Sequence, residues 1–409
     1  MRLFAFEGLH YAPKAGDAGE LAAPPYDQIN DSLRDQFHAQ SPYQFVHLTR
    51  PVAPEGGDPY RFAATLHHHW LRDGVIERDP RPAIYPYVIE LESGGERLGL
   101  LGLVGYENAS VIRPHEQTLE KAIADRTSLL EAMRVDLEPA LILSEDGGRL
   151  DSLLREDLQD AQPLVRHRDS DGHFHVLYRI DDPARIALYQ QALDVPAAIA
   201  DGHHRYKVGQ RFAAAHKAEA GTAAGAKLTV ITSLESPALT IDPIHRAFKE
   251  PVDLAKLAGV PESIHPFQGS GGWDFARAVA AAEQPAIGVW VHDRDPEIWH
   301  LNPTTVPDPP TPGEPKLAVE LFQETILPAL GLPPEAATNG TVVYRSNPEE
   351  LWSQVASGEL GTGVWLPPME PAAFAAAIAG GQMLPAKSTR FLPKVMSGLV
   401  WADHEGKVA

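Results

Sequence analysis

The chain has 409 residues, 44% of them apolar, and its 55 acidic and 35 basic residues give a formal net charge of −20. This charge argues against a nucleic acid or an anionic membrane as the main partner, and the absence of cysteine excludes disulfides, thiolate metal sites and cysteine nucleophiles. The length allows two or three domains with large cores.

The opening residues show no targeting signal. They lack the apolar core of a signal peptide, and no segment approaches the roughly 18 apolar residues of a membrane span. We therefore expect a soluble, cytoplasmic protein.

The first predicted elements alternate extended and helical segments. Residues 3–9 predict a strand, and residues 22–27 (AAPPYD) form a stiff extended segment because two prolines restrict the backbone. Residues 42–48 predict a second strand. Residues 60–71 have the spacing of an amphipathic helix and carry three consecutive histidines, which point in different directions and cannot bind one metal ion together. Residues 83–106 predict a β-hairpin around a Ser-Gly-Gly-Glu turn.

The segment after the hairpin, residues 114–126 (PHEQTLEKAIADR), carries one candidate cluster. Thr118 is a suitable N-cap, and apolar residues after it fall on one face of a helix. His115 and Glu116 precede this helix, at a loop-to-helix junction of the kind that often carries polar chemistry. A solvated first turn with one intrahelical ion pair explains the same charges equally well.

Two predicted strands lie before the next motif. Residues 139–143 are apolar enough for a buried strand. Residues 173–180 alternate in polarity, which places His173 and His175 together on one exposed face. A zinc site on that face lacks a third ligand nearby in sequence.

Residues 199–206 (IADGHHRY) form the central motif. A short apolar run precedes it and an alanine-rich run with helical spacing follows, which predicts a strand-to-helix turn. Asp201 can cap the helix, and Gly202 permits a tight turn. The start of a helix attracts anions, and the guanidinium of Arg205 suits phosphate oxygens. The motif therefore indicates a phosphate site, and the alternative is a simple N-cap beside basic residues on a solvated face.

The remaining chain predicts further mixed structure. Residues 226–234 predict a strand, and residues 239–248, which include a His-Arg pair, continue the sheet. Residues 304–315 contain five prolines and predict an irregular connection. Helices and strands alternate elsewhere, with predicted elements at 286–292, 317–327, 340–344 and 363–366.

Residues 380–389 (GGQMLPAKST) nearly match a nucleotide-binding P-loop, with alanine where glycine is required. The missing glycine, an internal proline and the lack of a predicted helix after Thr389 argue against that fold. Lys387, with the hydroxyls of Ser388 and Thr389, can still reach an anion bound elsewhere.

Several segments together resemble one bacterial family, catalogued as domain of unknown function 1015, whose name carries no function. The matching segments span the sequence, at residues 23–27, 42–48, 114–118 with 125–126, 199–206, 384–389 and 397–400. The sequence departs from the family pattern at residues 390–392, which are less aromatic, and at 242–246, where a threonine usually precedes the histidine.

The Asp-Gly-His-His-Arg turn is similar to the phosphate-binding turn of the ParB and sulfiredoxin superfamily, which includes free-serine kinases that use ADP, ATP or pyrophosphate. The resemblance implies a mixed α/β (α+β) fold, with a ParB/sulfiredoxin-like core and large additional mixed-sheet regions. It also implies that a carboxylate takes the proton of the serine hydroxyl, while the His-His-Arg helix start holds phosphates.

We therefore predict a small-molecule phosphotransferase, with L-serine as a candidate acceptor and Mg²⁺ entering with a nucleotide or pyrophosphate. The predicted catalytic residues are Glu116 as base, Asp201 and His204. The predicted phosphate- or nucleotide-binding residues are Gly202, His203, Arg205, Arg126, Lys387, Ser388 and Thr389. The predicted substrate-binding residues are His115, Tyr26, Asp27, His245 and Arg246. The predicted metal ligands are Asp201 and Glu116.

Two other classes of function remain open. One is a regulatory protein that binds a nucleotide or metabolite without turnover. The other is a metal-dependent phosphohydrolase with His203, His204 and His115 as ligands. We predict two domains, residues 1–225 with the first two motifs and residues 226–409 with the Ala-Lys-Ser-Thr segment, or else one interwoven unit.

Overall fold

A computed structural model describes residues 1–108, 111–116, 120–283, 285–302, 317–381, 383–385 and 387–409. The predicted Thr118 cap and the proline-rich connection at 304–315 lie outside these ranges. The described chain forms two compact units, each of them discontinuous in sequence. Unit 1 comprises Met1–Pro114, Thr118–Leu239 and Pro393–Ala409, and unit 2 comprises His115–Gln117 and Thr240–Leu392.

The core of unit 1 is a mixed sheet to which the described residues contribute nine strands. In order across the sheet, the strands are Ile112–Arg113, Ala197–Asp201, Ala140–Ser144, Ala226–Ser233, Glu96–Gly105, Tyr85–Glu90, Phe174–Leu177 and Val165–Arg168, with Leu3–Phe4 also beside Glu96–Gly105. The predicted hairpin is confirmed, because Tyr85–Glu90 pairs antiparallel with Glu96–Gly105. The predicted division after residue 225 passes through this sheet, since Ala226–Ser233 pairs with Ala140–Ser144 and Glu96–Gly105.

Unit 1 contains a second sheet and a set of helices. The strands of the second sheet are Ile76–Arg78, Gly8–Tyr11, Trp401–Asp403 and Val135–Asp136, in spatial order. The α-helices are Ala18–Leu21, Asp31–Gln40, Val46–Thr49, Pro59–Arg72, Glu120–Met133, Arg149–Leu158, Pro183–Ala192 and His203–Ala215. Short 3₁₀ turns lie at Pro13–Ala15, Tyr26–Gln28, Tyr106–Asn108 and Ala223–Gly225.

Helix starts follow from local sequence. Pro59–Arg72 and Pro183–Ala192 each begin with proline at the first helical position, where its missing N–H costs nothing. The preceding aspartate, Asp58 or Asp182, accepts hydrogen bonds from the N–H groups of the first turn. These signals explain why the predicted helix at 60–71 is confirmed to within a residue at each end.

Unit 2 has an antiparallel sheet at its centre. In spatial order its strands are Pro261–Pro266, Glu297–Leu301, Ala286–Val291, Thr362–Trp365, His245–Phe248 and Val342–Arg345, and a separate pair joins Thr240–Asp242 to Arg390–Leu392. Its helices are Gly272–Ala281, Ala318–Leu321, a π-helical turn at Phe322–Ile326, Leu327–Ala329, Pro348–Ala356 and Pro371–Ala379, with 3₁₀ turns at Leu254–Leu257 and Pro334–Ala337. Its apolar core includes the buried side chains of Phe275 and Trp365.

Three predictions about elements are wrong. Residues 42–48 form turns and the start of the helix Val46–Thr49, because Phe45, Val46 and Leu48 are all buried rather than alternating. His175 is buried, since its strand lies inside the large sheet and its ring bonds to other side chains. Residues 239–248 divide between two sheets of unit 2.

The fold class is mixed α/β, as predicted. None of the helices in the described ranges combines the length and apolarity that crossing a membrane requires.

Two buried histidines of unit 1 should make its stability fall in mild acid. Burial lowers the pKa of both His67 and His175 to about 4, whereas an unfolded histidine titrates near about 6.5. The unfolded state therefore binds more protons between these values, and stability should be fully present above about pH 6.5 and decline down to about pH 4. Each histidine should contribute roughly 2 kcal/mol of loss by about pH 4.5.

Urea unfolding of unit 1 at several pH values checks this expectation. His67→Gln should remove about half of this pH dependence, because one of the two groups no longer titrates in either state. The exposed neighbour His69 is the matched control, and His69→Gln should leave the slope unchanged. Constant stability from pH 7 to 4.5 in the wild type would contradict the prediction.

Candidate functional site

The central motif forms the predicted strand-to-helix turn in unit 1. The strand Ala197–Asp201 is buried up to its last residue, and the helix His203–Ala215 begins two residues later. Gly202 joins them with a φ of +84°, in the left-handed region that favours glycine. A Cβ on Gly202 would also lie 3.0 Å from the guanidinium group of Arg205. The backbone conformation therefore favours glycine here, and any other residue would also have to displace the guanidinium of Arg205.

Asp201 lies between two cations. Its Oδ2 accepts a hydrogen bond from Nη2 of Arg205 at 2.9 Å, and its Oδ1 accepts one from Nζ of Lys394 at 2.9 Å. Arg205 also donates to the carbonyl oxygen of Pro139. The prediction that Asp201 caps the helix is wrong, because Gly202 occupies the N-cap position and the Asp201 carboxylate is directed to the two cations instead.

These contacts keep Asp201 ionised. Burial would raise the pKa of Asp201, but the charges of Lys394 and Arg205, the hydrogen bond from Lys394 and the nearby His203 together hold it well below its usual range. A group with so low a pKa is a poor proton acceptor near neutral pH. Asp201 is therefore suited to hold cations in place rather than to take a proton.

The same geometry bears on magnesium. A carboxylate ligand of Mg²⁺ must direct an oxygen at the ion, whereas each oxygen of Asp201 is directed at a positively charged nitrogen. The arrangement does not fit Asp201 as a metal ligand. Across the described ranges, no group of three or more His, Asp or Glu side chains could hold a metal ion.

Tyr26, Asp27 and Arg126 belong to the same polar cluster of unit 1. The guanidinium of Arg126 lies over the ring of Tyr26 at 4.2 Å, a cation–π contact. The Tyr26 N–H donates to Glu138 at 3.0 Å. Burial raises the pKa of Tyr26 to about 12, against the charges of Arg126 and Arg205. Asp27 is exposed, and its charge acts on both Tyr26 and Arg205.

A cavity of about 50 Å³ lies beside Arg205. Its charged lining includes Arg126, Glu138 and the buried pair of Lys227 and Asp136, whose Nζ and Oδ2 are 2.7 Å apart. At about 10–15 Å³ for each water, the cavity holds only a few water molecules. Its size fits internal hydration of the charged cluster.

Lys394 and Glu138 were missed by the sequence reasoning. Lys394 lies between two segments that carry the family resemblance, residues 384–389 and 397–400, and this position is the one signal that could have drawn attention to it. Glu138 gives no local signal, because it stands in an unremarkable segment before a buried strand.

A second group of predicted residues meets in unit 2. The backbone N–H of Lys387 donates to Oε1 of Glu116 at 3.2 Å, and Nε2 of His115 lies 2.9 Å from Oγ1 of Thr389. The His115 ring is buried and packs edge-on against Phe374, with centroids 4.9 Å apart. These contacts join chain segments about 270 residues apart into one cluster.

Three other predicted residues, His245, Arg246 and Ser388, also belong to unit 2. Burial, with the charges of Arg246 and Arg390, lowers the pKa of His245 to about 3, and its Nδ1 accepts the Leu366 N–H at 3.2 Å, so the ring is neutral. Burial lowers the pKa of Arg246 to about 10, while the charge of Glu116 opposes this shift. Ser388 is buried and donates to the carbonyl oxygen of Pro385. The strand Arg390–Leu392 follows, not the helix of a P-loop.

The predicted site residues thus fall into two groups, one within each unit. Unit 1 holds Tyr26, Asp27, Arg126, Asp201, Gly202, His203, His204 and Arg205, and unit 2 holds His115, Glu116, His245, Arg246, Lys387, Ser388 and Thr389. His203 is buried and His204 is half-buried. The burial of the His115 ring in an aromatic environment and its bond to Thr389 do not favour the alternative of a metal-dependent hydrolase that uses it as a ligand.

Comparisons with known proteins give one family and several distant structures. The family model described as "Protein of unknown function (DUF1015)" matches residues 3–265. A free serine kinase in complex with AMP is 14% identical, with 73% of this chain and 92% of that chain covered and a TM-score of 0.37. A conserved hypothetical protein from Pyrococcus furiosus is 12% identical, with 73% and 95% covered and a TM-score of 0.36. SbnI with a C-terminal truncation, from Staphylococcus aureus, is 12% identical, with 72% and 85% covered and a TM-score of 0.35. No curated protein matches the chain in sequence.

Proposed function

The chain belongs to the DUF1015 family, and we propose that it is a small-molecule phosphotransferase that uses ATP, ADP or pyrophosphate, with free L-serine as its acceptor. Two points support the proposal. The first is the resemblance of the Asp-Gly-His-His-Arg turn to the corresponding turn of free-serine kinases, and the second is the arrangement of charges in unit 1.

One observation carries the proposal. Arg205 and Lys394 both contact Asp201, which directly precedes Gly202 and the start of the helix His203–Ala215. Phosphoryl transfer depends on neutralising and aligning phosphate oxygens rather than on covalent chemistry by the protein. Two cations held by one ionised carboxylate beside a helix start supply that kind of environment.

The proposed roles of individual residues follow from their surroundings. Arg205 holds the ionised Asp201, which acts as a positioning residue. The half-buried His204 is the proposed contact to the transferred phosphoryl group. Glu116 remains the proposed base because of its residue type, and its test is kinetic. Magnesium is proposed to enter bound to the phosphate donor. Asp201 is not proposed as its ligand, because both Asp201 oxygens face cations.

Ligand binding and transfer test this proposal in one series. ATP, ADP, pyrophosphate and phosphate, each with and without Mg²⁺, are screened by thermal shift. A ligand present at about 100 times its dissociation constant should stabilise the protein by about 2.7 kcal/mol. The stabilising donor is then incubated with L-serine, and phosphorus NMR should show a new phosphomonoester signal.

The alternatives give different results in the same series. Binding without any new phosphorus signal, with serine or with other small alcohols and amino acids, would favour the regulatory binding protein. Release of phosphate without an acceptor would favour a hydrolase. No stabilisation by any of the four anions would contradict a phosphate site altogether.

A further inference from the structure

Lys394 is the most exposed cation of the Asp201 cluster. Its side chain is 20% exposed, whereas that of Arg205 is 7% exposed. Arg205 is further fixed by its hydrogen bond to the carbonyl oxygen of Pro139. Of the two cations, Lys394 is therefore the one that an incoming ligand can reach with the least rearrangement.

Lys394 also has donors to spare. An ammonium group carries three N–H donors, and in the described part of the chain one of them is used, in the bond to Asp201. The lysine stem is flexible, so its ammonium can turn toward a second acceptor without losing the first. Asp201 keeps its partner Arg205 in either arrangement.

The backbone that carries Lys394 is fixed a few residues away. The Met396 N–H donates to the hydroxyl of Tyr87 at 3.2 Å. Ser397 exchanges two backbone hydrogen bonds with Ala23, of 2.8 and 3.0 Å. The start of the side chain is thus well placed, and Asp201 holds its ammonium group while donors remain for a second acceptor.

The Tyr87 hydroxyl is itself held by a buried chain of side chains. It lies 2.5 Å from Nδ1 of His175, whose Nε2 lies 2.9 Å from Oδ2 of Asp169. Burial lowers the pKa of His175 to about 4 and raises that of Tyr87, so both remain neutral near pH 7. Tyr87, His175 and Asp169 are therefore placed to support the backbone of residues 394–397.

From this arrangement we propose that Lys394 is a ligand-contacting residue that binds an anionic oxygen of the phosphate donor, with Asp201 as its positioning residue. The proposal rests on the proposed function for the nature of the ligand. The proposal adds Lys394 to the binding residues of unit 1, and this residue lies in the C-terminal segment of that unit, Pro393–Ala409.

Pyrophosphate binding measured by isothermal titration calorimetry tests it. Lys394→Met should weaken binding about 10- to 100-fold, the range expected for loss of one hydrogen bond from a charged group. Lys394→Arg should recover part of this loss. The affinity of Lys394→Met for pyrophosphate should also depend less on salt concentration, because one fewer charge acts on the ligand.

Lys407→Met is the matched control. Lys407 also pairs with a carboxylate, that of Glu7 at 3.5 Å, but its side chain is 81% exposed. This variant changes the net charge of unit 1 equally and should bind pyrophosphate within about twofold of the wild type. Circular dichroism and urea unfolding of Lys394→Met should show an intact fold, since Asp201 retains Arg205.

The outcomes separate the two proposals. If the wild type binds pyrophosphate and Lys394→Met binds it within twofold, Lys394 is not a ligand contact and the proposed function is untouched. If the wild type binds neither pyrophosphate, ADP nor ATP, both proposals are overturned. If Lys394→Met unfolds, Lys394→Gln decides, because it keeps a polar side chain without the charge: a folded variant that binds pyrophosphate about 10-fold or more weakly supports the contact, and one that binds within twofold of the wild type contradicts it.

Discussion

Asp201→Asn should lower the free energy of unfolding of unit 1 by about 2–4 kcal/mol, because removing one partner of a buried ion pair leaves the other charge without compensation. The change keeps the shape of the side chain but takes the negative charge from between Arg205 and Lys394. Arg205 is the more affected cation, since its side chain is only 7% exposed. Urea unfolding monitored by hydrogen exchange in peptides of unit 1 measures the effect.

Asp31→Asn is a close control for this experiment. Asp31 also lies between two cations, with its Oδ1 at 2.9 Å from both Arg34 and Arg50, but its side chain is 77% exposed. Exposed pairs of this kind contribute less than about 1 kcal/mol. Equal effects of the two substitutions would show that burial of the Asp201 cluster is not what makes it stabilising.

Glu116→Gln should lower the rate of phosphoryl transfer by about 10²- to 10⁴-fold, the usual contribution of a positioned general base. The amide oxygen can still accept the Lys387 N–H that Glu116 accepts at 3.2 Å. Binding of the phosphate donor should therefore remain within about twofold of the wild type. Rates come from phosphorus NMR with L-serine, and affinities from calorimetry.

Glu120→Gln provides the comparison for a carboxylate outside the proposed chemistry. Glu120 is 73% exposed and pairs with Arg211 at 2.8 Å. Its substitution should leave both rate and affinity unchanged. A Glu116→Gln enzyme with the wild-type rate would remove Glu116 from the reaction, and one that loses donor binding would point to a structural part instead.

Local signals explain which elements could be predicted. The hairpin at 85–105 and the helix Pro59–Arg72 carry their own periodicity, turn residues and caps, so the sequence nearby determines them. Residues 42–48 contain the same residue types as a strand, but tertiary burial on several sides turns them into a helical turn. His175 looked exposed because alternation shows that two faces differ, not which face is covered.

The candidate site, like the fold, could be predicted only where local signals determine it. The turn at Asp201 and Gly202 follows from adjacent residues, and its strand-to-helix form is confirmed. The part of Asp201 could not be foreseen, because its partner Lys394 lies 193 residues away. The contact between Glu116 and Lys387 is likewise a product of long-range folding, because it joins two motifs that are 271 residues apart in the sequence.

The discontinuity of unit 1 has a consequence for its biosynthesis. The strand Trp401–Asp403 pairs with both Gly8–Tyr11 and Val135–Asp136, so one small sheet draws on widely separated parts of the chain. A growing polypeptide cannot complete that sheet, or bring Lys394 to Asp201, until residues 393–409 have left the ribosome. A premature stop codon shortly before Pro393 would therefore leave a nearly full-length product with an unfinished unit, exposed to chaperones and proteases.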